Sequence, residues 1–70
     1  MKANEIRRAI DEGRKVELYD GAYEVIKDST GQYLIHCICN DNYIGLSGME
    51  GTEYEDVTNY PEKDFYVIPD

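Results

Sequence analysis

The stretch Lys15-Val16-Glu17-Leu18-Tyr19-Asp20-Gly21-Ala22-Tyr23-Glu24-Val25-Ile26-Lys27-Asp28 decides the fold. Val16 and Leu18 alternate with polar neighbours, which places both on one face of a strand over residues 15–19. Asp20-Gly21 reads as a two-residue hairpin turn, because a type I′ turn needs positive φ and Asp and Gly tolerate it. Residues 23–28 form the return strand. Ser29-Thr30-Gly31 turns the chain into the longest β run, residues 32–39. Asn40-Asp41-Asn42 turns it again into a fourth strand over 43–46. A fifth strand is expected at 65–68, where Pro69 closes an edge.

Upstream of the hairpin, Ile6, Ala9, Ile10 and Gly13 keep helical spacing. Asn4 is the expected N-cap, Glu5 suits the positive end, and Gly13 suits the left-handed position after the helix. The fold class is therefore α+β, one domain over residues 1–70. A short helix (4–12) packs on a four- to five-stranded antiparallel β-meander (15–46), followed by an acidic loop (47–64) and the last strand. A chain of 70 residues buries only about 60% of its unfolded surface, so a staple or a partner subunit is expected.

Charge is divided unevenly. Residues 1–15 hold Lys2, Arg7, Arg8, Arg14 and Lys15 against Glu5, Asp11 and Glu12, a net of +2. Residues 16–70 hold Lys27 and Lys63 against twelve acids, a net of −10, and they carry all seven tyrosines. The overall −8 disfavours free nucleic acid and anionic membranes, because both require Lys and Arg to neutralise phosphate. No apolar run approaches the ~20 residues of a membrane span, and the N-terminus lacks a leader's apolar region. A cytoplasmic location, in an infected or lysogenic bacterial host, is the expectation.

The third strand places Tyr33, Ile35, Cys37 and Cys39 on one face and Leu34, His36 and Ile38 on the other. Both faces are largely apolar. Either the 47–64 loop folds over the second face or another copy of the chain covers it, and a homodimer or larger assembly is the favoured expectation. Cys37 and Cys39, two apart on a strand, suit reduced thiols better than a disulfide. With His36 and Asp41 they invite a zinc reading, but the spacing is wrong and His36 points away from both thiols. No metal and no cofactor are expected.

His36 as a general base would need a carboxylate such as Glu24 or Asp28 across the hairpin, and no nucleophile accompanies it. An enzyme is disfavoured. Gly45 and Gly48 lack the surrounding pattern of a phosphate loop. The candidate partner-binding residues are Glu50, Glu53, Tyr54, Glu55, Asp56 and Tyr60 of the acidic loop and Tyr66 of the last strand. Tyrosine presents large area with a polar tip at little entropy cost. Arg7, Arg8, Arg14 and Lys15 are the candidate phosphate ligands.

Several runs carry a resemblance: Glu5-Ile6-Arg7-Arg8-Ala9-Ile10, Gly13, Val16, Tyr23-Glu24-Val25-Ile26-Lys27-Asp28, Gly31-Gln32-Tyr33-Leu34-Ile35, Asn40, Ile44-Gly45-Leu46 and Asp64-Phe65-Tyr66-Val67. Together the chain resembles small uncharacterised phage- and prophage-encoded proteins. It departs from them in lacking Trp and in its longer acidic segment. The resemblance implies a protein that binds and blocks a host component, such as CRISPR or other defence machinery. The acidic, tyrosine-bearing part is expected to meet a basic surface of that component, with DNA mimicry as one version. An oligomer that sequesters a nucleotide signal is the alternative, and a phage structural or regulatory accessory is a further one.

Overall fold

A computed structural model describes residues 1–49 and 51–69. They form α1 (Ala3–Asp11) and five strands: β1 (Val16–Leu18), β2 (Tyr23–Lys27), β3 (Tyr33–Cys37), β4 (Asn42–Gly45) and β5 (Phe65–Val67). The strands make one sheet in the order β4-β3-β2-β1-β5, antiparallel at every pairing. The α+β architecture read from the sequence is the one observed.

The helix starts earlier than the expected Asn4 cap. Lys2 is the N-cap, and the Glu5 carboxylate accepts its backbone N–H at 2.9 Å. Glu5 at the third helical position reaches back to the cap, which Asn4 at the second cannot do. At the other end Gly13 has φ 83°. The Gly13 and Arg14 N–H groups donate to Ile10 and Ala9 carbonyls at 3.0 and 2.9 Å, which closes the helix with a Schellman motif.

The first hairpin differs from the sequence reading. Leu18 pairs with Tyr23, so the loop has four residues, Tyr19 to Ala22, rather than two. Tyr19 and Asp20 both take left-handed backbone, at φ 52° and 56°. That conformation disfavours non-glycine residues by about 1–2 kcal/mol each. Tertiary contact offsets it: the Tyr19 hydroxyl donates to Asp64 at 2.9 Å, and its ring meets Tyr23 and Tyr60 edge-on at 5.6 and 5.9 Å.

The meander covers β1 to β4 only. β5 joins on the far side of β1, so the connection after β4 must cross the sheet, about 19 Å at four strand spacings. It crosses on the helix side. Leu46 is buried with Ile6, Ala9, Val16, Leu18, Val25, Ile35 and Phe65, and Tyr60 packs against that cluster. The expected alternative, a loop folded over the second face, is not what the chain does. Helix and crossing connection together cover one face of the sheet, except at the β4 edge, where Ile44 stays 42% exposed. No described residue of the other face is buried.

Candidate protein-interaction surfaces

The described residues of the crossing connection are tied to one another by hydrogen bonds. Ser47 and Thr58 pair as an isolated antiparallel bridge, which closes the intervening residues into a loop with its ends together. Inside it the Gly48 N–H donates to both Tyr54 and Val57 carbonyls at 3.0 and 3.2 Å, and the Gly51 N–H donates to the Glu55 carboxylate at 2.8 Å. A Cβ on Gly48 would collide with the Tyr54 backbone, its carbonyl oxygen being 2.5 Å away, so any larger residue there forces the neck of the loop to shift.

Arg7 fastens this loop to the helix. Its guanidinium donates to Ser47 Oγ and to the Glu55 carbonyl, both at 2.7 Å, and pairs with Asp56 at 3.5 Å. The loop in turn displays Met49, Tyr54 and Val57, exposed by 77%, 58% and 53%. Exposed Glu53 and Asp56 stand among them. Compact loops of this kind are often functional, and exposed apolar side chains set among acidic residues suit a protein partner.

The candidate partner-binding residues therefore separate. Tyr54 and Glu53 face solvent, while Glu55 and Asp56 hold the loop in shape as well as bordering it. Tyr60 turns inward, its ring 5.3 Å from that of Tyr23. Tyr66 lies on the opposite sheet face, beside Glu17. Glu50 lies outside the described residues. Sequence reasoning missed Met49 and Val57 as displayed groups. Their only signal was apolar character inside a polar segment.

The candidate phosphate ligands do not converge. Arg7 is committed to the loop. Arg14 and Lys15 border a hollow shared with Glu17 and Glu24, and Arg8 and Arg14 border another shared with Glu5 and Glu12. An anion in either hollow would meet carboxylates as well as cations. Among the described residues no three His, Cys, Asp or Glu side chains group as metal ligands, and no helix is long and apolar enough to cross a membrane.

The second sheet face carries a row with one residue from each strand: Tyr66, Glu17, Glu24, His36 and Tyr43. His36 is its centre. Nδ1 lies 3.0 Å from Glu24 and Nε2 2.5 Å from Asp41, and the imidazole stacks on the Tyr43 ring at 4.5 Å. Glu24, foremost, and Asp41 raise the His36 pKa above its ordinary value by hydrogen bonding to it. Of the two carboxylates suggested across the hairpin, Glu24 is the one in register, and Asp28 instead ties its own turn. Cys37 points to the helix side with Tyr23, and Cys39 is exposed in the following turn.

Comparison with protein-family models, with curated proteins and with solved structures gave no match.

Proposed function

We propose that the protein acts by binding, its 47–58 loop docking on a basic-rimmed apolar pocket of another protein. The observation that carries this reading is the loop itself. It is bridged at its ends, clamped by Arg7, and displays Met49, Tyr54 and Val57 beside Glu53 and Asp56. Aromatic side chains at the centre of a charged rim are the usual carriers of interface energy. The net −10 of residues 16–70 would steer such a molecule toward a basic surface and speed encounter. The likeness to small phage proteins makes a host defence or nucleic-acid-handling component the partner to look for.

The test is affinity capture from a bacterial lysate, followed by measurement of the captured protein's affinity for defined variants. Tyr54→Ala should weaken it by about tenfold or more, the scale of a central interface aromatic. Glu53→Lys should weaken it further at low salt than at high salt. Unchanged binding by both variants would refute the loop as the docking element.

A further inference from the structure

The second sheet face is separate from the loop and has its own chemistry. Its cross-sheet row places Glu17 directly opposite Glu24. Like charges opposed in a sheet are destabilising. Glu24 is compensated by His36, but among the described residues no ion pair reaches Glu17. Beside the acids lie half-buried Ile26 and Leu34, opposed in register, with Tyr66 and Tyr43 at the two ends of the row.

We propose that this face is a second docking surface, for a cationic and partly apolar segment of a partner protein, and that the charge on His36 sets how tightly it is held. The proposal rests on the reading of a basic partner and names a different surface for it. Glu17 and Glu24 supply the negative charge, Ile26 and Leu34 the apolar contact, and the tyrosines two flanking rings. The row spans about 19 Å at four strand spacings. About six residues of extended chain cover that distance.

The role of His36 follows from its hydrogen bonds. A neutral imidazole carries one N–H, yet both nitrogens face carboxylates, so only the protonated ring donates to both. Glu24 on β2, Asp41 in the turn before β4 and Tyr43 on β4 are the groups that surround it. Glu17 stands next beyond Glu24, and Lys15 shares a hollow with those two acids. When His36 loses its proton, one carboxylate contact is lost and the face becomes more negative. A cationic segment is then held more tightly.

The test titrates the full chain, labelled with nitrogen-15, with a hexapeptide of alternating lysine and leucine at pH 5.5 and pH 8. Amide shifts should centre on Glu17, Glu24, His36 and Tyr43. Affinity should be about fivefold or more tighter at pH 8, the lower end of ordinary coupling between sites. His36→Gln should abolish that difference. Glu17→Gln should weaken the peptide while leaving the melting temperature equal or higher, so the loss is not unfolding. The proposal is overturned if shifts centre on residues 47–58 or the helix, or if the pH response survives in His36→Gln. It is equally overturned if this face shows concentration-dependent shifts without peptide, since a second copy would then be its occupant. Loop variants that leave a captured partner's affinity intact would defeat the loop reading while this one stood.

Discussion

His36 and Asp28 show how single side chains give the fold opposite responses to acid. The folded His36 pKa is raised by Glu24 and Asp41. Its stabilising contribution is therefore complete below the unfolded value of about 6.5 and is lost as pH rises through the higher folded value. Asp28 behaves in the reverse sense. Its carboxylate accepts from Thr30 Oγ1 at 2.7 Å and from the Thr30 and Gln32 N–H groups, both at 2.9 Å, which lowers its pKa from the ordinary value, Thr30 Oγ1 leading. That contribution is complete above the unfolded carboxylate value and disappears as pH falls through the lowered folded one. Thermal melts from pH 3 to pH 9 should show the native chain losing stability at both ends. His36→Gln should reduce the alkaline limb alone, and Asp28→Ala the acidic limb alone, where Asp11, whose pKa Tyr33 and Lys27 lower by hydrogen bonding, keeps part of the slope. The Asp28 turn was readable in the sequence, because Asp followed by Ser-Thr-Gly is a local pattern. The His36 bridge was half readable: strand register supplied Glu24, whereas Asp41 arrives through a left-handed residue, φ 61°, that no periodicity announces.

At the scale of elements, the Ser47–Thr58 loop depends on Arg7 from the helix and on Gly48 from its own neck. Hydrogen bonds to a charged group contribute about 1.5–3 kcal/mol when broken. Arg7 is 26% exposed, and its Asp56 partner 75% exposed, so the lower part of that range applies. Arg7→Met should destabilise the chain by about 1–2 kcal/mol and increase hydrogen exchange at the Gly48 and Val57 amides, with the β2–β3 amides unaffected. Gly48→Ala should act on the same loop by overpacking, at about 1–3 kcal/mol. Normal exchange in that neck after either change would mean that the loop closes without them. Local elements were legible because their signals are local: alternation for β1 to β4, helical spacing and Gly13 for α1. The path of residues 46–64 was not, because it depends on where β5 pairs. Phe65 and Val67 alternate as well against β1 as against β4, and only tertiary packing selects β1. A long connection that suggested function by its length is in part a structural necessity, since it has the whole sheet to cross. Tyr60 reflects that: grouped in the sequence with Tyr54, it serves the core beneath the crossing.

For the whole molecule, charge and compactness pull against each other. The radius of gyration of 11.2 Å matches the roughly 11 Å expected of a compact 70-residue chain, so the acidic crossing segment is folded onto the body. A net charge of −8 is thereby concentrated, and self-repulsion works against the compact state. Salt screens such repulsion over a Debye length of about 10 Å at 0.1 M, comparable to the molecule's own radius. Raising sodium chloride from 10 to 150 mM should therefore increase the melting temperature. A gain of about 1 kcal/mol would appear as roughly 4–8 °C in a domain of this size. Binding to a basic partner should respond in the opposite sense, because the charges that repel one another within the fold are those that attract the partner. The two measurements together separate the readings. A chain stabilised by salt whose complex is weakened by salt uses its acids for recognition. A chain whose self-association grows with salt, followed by sedimentation over the same series, uses its uncovered face to pair with another copy, and its acids there only oppose the pairing.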